Sequence, residues 1–305
     1  MIHLKDIREG TKIFLALGSE IRLEILALIS EHGKLNMNEL AELLGLTKGA
    51  LTSHIRMLQE ANLIQITTAT GKRGTQKLCS LSHDTLVLDF KHNTVNDSTY
   101  EIELDVGLYF NYAITPTCGI ATVDHVIGSF DDPRFFSHPD RINAGILWFA
   151  MGFVEYRVPN FLKPGQKMEE MVISMEICSE APGVNENWPS DIYFHINNTC
   201  IGYWTSPGDF GSPKGMLTPS WWYNNLNQYG LLKVLTINHE GTFIDGIQIS
   251  PITIDDLDLN HQSEISLRIS SPKEAEHCGG VTIFGKGFGN YNQGIRILVK
   301  WAEAT

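Results

Sequence analysis

The sequence predicts a multi-domain α+β chain: a small helical unit closed by one β-hairpin, then a large antiparallel β-sandwich. Three observations carry that prediction. Apolar residues recur at helical spacing as far as Leu63 and alternate with polar ones after it. All six Trp and all nine Tyr lie beyond residue 99, and only Phe14 and Phe90 represent aromatics before it. Residues 1–92 hold 11 Lys/Arg against 10 Asp/Glu, whereas residues 93–305 hold 12 against 25, so the net charge of −12 belongs to the second part. At 305 residues and 43% hydrophobic the chain has room for two cores. The expected domains are 1–90 and 100–305, joined through 91–99, where HNTVNDS is polar and without pattern.

The first unit reads as a series of short helices. TKIFLAL (11–17) is apolar and ends at Gly18. Ser19 stands where it can cap EIRLEILALISEH, whose expected apolar face is Ile21, Ile25, Leu28 and Ile29, with Gly33 as its stop. Asn36 followed by Glu39 has the form of a capping box, opening a short helix with Leu40, Leu43 and Leu44 on its apolar side. Gly45 makes a tight turn and Thr47 caps the next helix. That helix has two unlike sides: Leu51, Ile55 and Leu58 face a core, while Lys48, Thr52, Ser53 and Arg56 make a small, polar, basic face suited to a negative groove. Two helices joined by a Gly-containing turn form a helix-turn-helix. Ile64 and Ile66 then begin a strand, TGKRGT is a basic turn, and QKLCSL returns as a second strand, a wing.

These segments together resemble the winged-helix domain of the arsenical-resistance repressor (ArsR) family over about residues 11–82, a match made by Gly18, Arg22, Ile25 and Leu26, then by Ser53, His54, Ile55, Leu58, Ala61 and Leu63. Asn62 replaces the family's usual Gly and tolerates the same left-handed cap. The resemblance implies a homodimeric transcriptional regulator on a double-stranded DNA operator. Lys48, Thr52, Ser53 and His54 would meet base edges, Arg56 phosphate or base, and Lys72, Arg73 and Lys77 phosphate or the minor groove, with the capping Thr47 in the same DNA-binding set. The family's metal-sensing members carry Cys or His/Asp sets; here Cys79 stands alone and His32, His54 and His83 lack ligand spacing, so no metal and no cofactor is expected.

In the second unit the expected inward rows are Ile102, Leu104, Val106, Leu108 and Phe110; Met171, Ile173, Met175 and Ile177; Ile192, Phe194 and Ile196; and Ile265, Leu267 and Ile269. DIYFHINNTCIGYWTSPGDFG, LTPSWWYNNLNQYGLL and GGVTIFGKGFGNYNQGI are similar to jelly-roll domains of the galactose-binding, carbohydrate-binding-module type, over residues 165–301. A sugar presents C–H faces to aromatic rings and hydroxyls to planar polar groups, which makes His195, Asn197, Trp204, Asp209, Trp221 and Trp222 the candidate ligand residues for a small molecule of saccharide type. Two alternatives stay open: a sandwich serving only oligomerisation or protein contact, and a carbohydrate-active enzyme carrying a DNA-binding module. No GxSxG or HExxH occurs, and GKGFGNYNQG lies between strands rather than before a helix, so an enzyme is not expected. The five scattered Cys are expected to be buried small hydrophobes. No long apolar run occurs and the opening residues are charged, so a cytoplasmic location away from membranes is expected.

Overall fold

A computed structural model describes residues 2–4, 7–71, 74–83, 86–88 and 98–303. The chain divides into two compact units, residues 1–94 and 95–305. The expected connection straddles that division, and its residues 91–97 lie outside the described ones.

Among the described residues the first unit contains four α-helices, α1 (Thr11–Leu17), α2 (Glu20–His32), α3 (Met37–Leu43) and α4 (Lys48–Glu60), and five strands, β1 (Ile2–Leu4), β2 (Leu35–Asn36), β3 (Ile64–Gly71), β4 (Gly74–Leu81) and β5 (Leu86–Leu88). It is a winged helix-turn-helix. The capping box at α3 is complete: Asn36 Oδ1 accepts from the Asn38 and Glu39 amides, and Glu39 Oε2 accepts from the Asn36 amide. Both α3 and α4 end in Schellman turns. Leu46 N–H reaches the Ala41 carbonyl across Gly45 (φ 62°), and Leu63 N–H reaches the Leu58 carbonyl across Asn62 (φ 57°). Ser19 occupies the N-cap position of α2, yet its side chain makes no cap bond; its carbonyl accepts from Arg22 and Leu23 instead.

The buried face of α2 differs from the expected one. Ile25 and Ile29 are in the core, but Ile21 is exposed and Arg22 is buried in its stead. The Arg22 Nε and Nη2 atoms donate to the carbonyls of Ala16 and Leu15, and Nη1 lies 3.4 Å from Met57 Sδ. The guanidinium thus caps the last turn of α1 and touches α4, which explains why a buried Arg can serve where periodicity asks for an aliphatic residue. The core of this unit joins Ile25, Ile29, Leu40, Leu51, Ile55, Leu58 and Ile64. β3 and β4 form the wing, registered from Ile64↔Leu81 to Gly71↔Gly74, with β2 on the other side of β4. β1 and β5, unread in the sequence, pair in parallel.

The second unit is antiparallel throughout. Its strands are β6 (Thr99–Leu104), β7 (Tyr109–Ala121), β8 (Ile146–Val158), β9 (Gln166–Cys178), β10 (Ser190–Ile196), β11 (Thr199–Ser206), β12 (Leu231–Asn238), β13 (Gly241–Ile244), β14 (Ile247–Ser250), β15 (Ile265–Ser271), β16 (Val281–Phe284) and β17 (Ile295–Glu303). One layer runs β7-β8-β15-β10-β11 and the other β6-β17-β9-β12-β13-β14. β16 pairs with both β8 and β9 and joins the layers into a nearly closed sandwich. At the far edges β11 approaches β14, where Gly202 lies against Ile249 with φ 123°, a backbone conformation that favours glycine.

The inward rows of β9, β10 and β15 are buried as expected. The row proposed for 102–110 breaks, because Asp105 and Leu108 close a turn between β6 and β7; Leu108 and Phe110 end exposed, with the Arg157 guanidinium 4.4 Å above the Phe110 ring. A separate cluster at one end holds Trp148, Trp222, Phe284 and Phe288. Buried carboxylates tie loops to this end. Glu176 accepts from the amides of Gly230, Asn290 and Tyr291, and Glu180 accepts from Thr117, Asn227 and Thr282. Cys79, Cys118 and Cys178 are buried, but Cys200 and Cys278 are exposed thiols, contrary to expectation. Among the described residues no helix is long and apolar enough to cross a membrane.

Candidate nucleic-acid interface and sandwich site

α4 owes its two faces to its caps and spacing. Thr47 Oγ1 accepts from the Ala50 amide at 3.3 Å, and the helix then buries Leu51, Ile55 and Leu58. Residues 47–50, Thr52, Ser53 and Arg56 are exposed. The hydroxyls of Thr52 and Ser53 donate to the carbonyls of Lys48 and Ala50, at 2.7 and 2.8 Å, which fixes their rotamers and leaves their lone pairs outward. Arg56 Nε donates to Glu60 Oε1 at 2.7 Å, and that bond holds the guanidinium firmly protonated. Both partners are solvated, so a phosphate can take the carboxylate's place with little desolvation. His54 is half-buried, and its Nδ1 has no partner.

Gly49 and Ala50 are part of this surface and were not singled out in the sequence. Nothing lies within 4 Å of a Cβ built at Gly49. Two small residues beside the helix N-terminus let its free amides come close to a phosphate; small residues in a first turn are the signal that could have found them. On the wing, Gln76 and Lys77 are exposed on β4, with Lys77 opposite Thr68. Lys72 and Arg73 lie outside the described residues. Among the described residues no group of three His, Cys, Asp or Glu side chains could hold a metal ion.

The six candidate ligand residues of the sandwich do not converge. Trp222 is core: its ring packs edge-on against Trp148 and Phe288, and its Nε1 donates to the Asn227 carbonyl. Asp209 is wholly buried; Oδ2 accepts from the Ala181 amide, Oδ1 has no partner, and burial pushes the carboxyl up to about 7. Asn197 (φ 52°) forms the β10–β11 turn, and its Oδ1 accepts from the Ser266 amide, a scaffold role. Trp204 is half-buried against the main core, with Lys233 Nζ 4.7 Å over its ring. Trp221 is half-buried at the end cluster, where Nε1 donates to the Val123 carbonyl. His195 lines a groove on the outer face of the five-stranded layer. The partners it has there, Phe153, Tyr193 and Arg268, escaped the sequence reading because three strands bring them together.

The first unit is thus a helix-turn-helix with a wing and an outward polar-basic helix face, the build of a DNA-binding domain. Residues 19–65 match the winged helix-turn-helix DNA-binding family model, which agrees with that geometry. No curated protein matches the sequence. Among solved structures, the mosquito-larvicidal Cry4Aa toxin from Bacillus thuringiensis is similar at 10% identity and a TM-score of 0.29, over 78% of this chain and 29% of that one. The chain spans under a third of that protein's length, and a likeness at this score carries no argument.

Proposed function

We propose that this chain is a cytoplasmic transcriptional regulator of the ArsR type that binds a double-stranded operator as a homodimer and senses a small ligand, a saccharide, through its sandwich. It has no catalytic role in this reading. The observation that carries the DNA-binding part is the exposed Lys48–Arg56 face of α4, held by a capped and Schellman-terminated frame. Leu15 on α1 and Leu23 on α2 are exposed apolar side chains, which favours a second copy as their cover. For the sensing role, Phe130 and Tyr223 form an exposed edge-to-face pair beside the Trp221 cluster, a surface that offers rings to solvent. Glu180 and Asp209 are sealed beneath loops rather than set in a cleft, so they favour structure over glycoside hydrolysis.

The test is operator selection from random duplexes, followed by fluorescence anisotropy across a salt series. Lys48→Ala is expected to lower the log–log salt slope by about 1, and Thr52→Ala to relax preference at one base position by about 1–3 kcal/mol. Selection that yields no enriched sequence, with both variants binding like the parent, would remove the operator reading. Sedimentation of Leu15→Glu, Leu23→Glu tests the dimer, which should fall to a monomer.

A further inference from the structure

The outer face of the five-stranded layer is not flat. β10 turns Tyr193 and His195 outward while Ile192, Phe194 and Ile196 enter the core. His195 stands opposite Arg268 of β15 on one side and Cys200 of β11 on the other. After β15 the segment 272–278 is anchored by Asp191, which accepts from the His277 amide at 2.9 Å and whose own amide donates to the His277 carbonyl at 2.8 Å. Glu274 of that segment joins Phe153, Tyr193, His195, Arg268 and Ser270 around a cavity of about 480 Å³. That is within the size range of small-molecule sites.

The walls are prearranged. Tyr193 stacks on Tyr203 with centroids 4.9 Å apart and planes at 27°, so its orientation is set by a neighbour. The Arg268 guanidinium lies 4.3 Å over the Phe153 ring, and its Nη2 donates to Glu155 Oε2 at 3.2 Å. Two nitrogens of this lining, Arg268 Nε and His195 Nδ1, are buried and have no partner. Unsatisfied buried nitrogens on two cross-strand partners are uncommon in a finished surface.

The charges decide the ligand class. Arg268 is offset by Glu155 beneath it, and Glu274 adds a negative charge. Burial and the charge of Arg268 hold the His195 imidazole towards its neutral form. No positive excess is left for an anion. What remains is an aromatic wall ringed by donors (Arg268, Ser270, Tyr193) and a carboxylate acceptor. We propose that this groove binds a neutral cyclic polyol of monosaccharide size, its C–H face against Tyr193 and Phe153 and its hydroxyls on Arg268, Ser270 and Glu274. This rests on the reading of the sandwich as a saccharide sensor and gives that reading a place.

The experiment uses the full chain carrying Cys278→Ser, which leaves Cys200, at the groove, as the exposed thiol among the described cysteines. Neutral monosaccharides, uronic acids and aromatic acids are titrated by calorimetry at millimolar concentration, and maleimide labelling of Cys200 is timed with and without each. Tyr193→Ala and Glu274→Ala test the groove, Tyr223→Ala the exposed aromatic surface elsewhere, and near-UV dichroism confirms that each variant is folded. The expected result is binding of a neutral sugar, slower labelling of Cys200, and roughly tenfold weaker affinity in each groove variant with Tyr223→Ala unchanged. Sugar binding that survives both groove variants and is lost in Tyr223→Ala overturns the groove and leaves the sensor reading standing. Binding of an acid in place of a neutral sugar, abolished by Tyr193→Ala, overturns the ligand class. No binding by any compound to folded protein overturns both.

Discussion

Asn62 and Arg22 carry more of the first unit than their size suggests. Asn62 sits at φ 57°, where a residue with a Cβ and no local hydrogen-bonding side chain is strained. Asn62→Ala is expected to destabilise this unit by roughly 1 kcal/mol and Asn62→Gly by only a few tenths, measured by denaturant unfolding. Titration at single residues also sets the pH response of the second unit. Burial pushes Asp209 and Glu176 up to about 7, and hydrogen bonds to Glu169 and then Asp255 raise His239 above its ordinary value. For the two acids the folded state holds protons that the unfolded chain releases above about pH 4, so stability falls as pH rises from there to about 7. The His239 contribution is full below about pH 6.5 and is lost as pH passes its raised folded value. All three act in one direction. The second unit should be more stable at mildly acidic than at alkaline pH, and Asp209→Asn should flatten the dependence between those limits. A steeper dependence in that variant would remove burial of Asp209 as the cause.

Among elements, α4 shows how much was legible and why. Its boundaries, cap and two faces follow from Thr47, the Leu51/Ile55/Leu58 spacing and the Asn at 62, all local properties of an amphipathic helix. The buried face of α2 departs from its periodicity at one position, since nothing local says that Arg22 will find the carbonyls of Leu15 and Ala16. Replacing it by Met keeps the aliphatic stem and removes the donors. We expect Arg22→Met to cost about 2–3 kcal/mol of stability, with loss of helical signal from α1 as the specific sign. In the sandwich, alternation located the rows of β9, β10 and β15, because period two is a property of each strand alone. The groove was not legible: Phe153, Tyr193, His195 and Arg268 belong to three strands whose adjacency is fixed only by pairing. Trp222 is core where the sequence suggests a ligand residue, for a related reason. A loop tryptophan reads the same in sequence whether it faces solvent or, as here, closes a core cluster with Phe288.

For the molecule as a whole, two units with separate cores should unfold separately. Calorimetry of the full chain should give two transitions, with a rise from mildly acidic to alkaline pH lowering the one that belongs to the sandwich, and a single coincident transition would contradict independent cores. The sandwich has its own guard against coming apart by layers. β16 hydrogen-bonds to β8 and β9 at once, so neither layer can be peeled away without breaking its pairing. The parallel pair of β1 and β5 has a consequence of another kind, mechanical rather than thermodynamic. Residues 2–4 run alongside 86–88 in the same direction. Tension between a handle at residue 2 and the second unit therefore pulls the two strands lengthwise past each other, loading their backbone bonds together instead of one after another. In a single-molecule pulling experiment the first unit should yield in one abrupt step. Leu86→Pro, which removes an amide from that short clasp, should lower the yield force while leaving the sandwich step where it was.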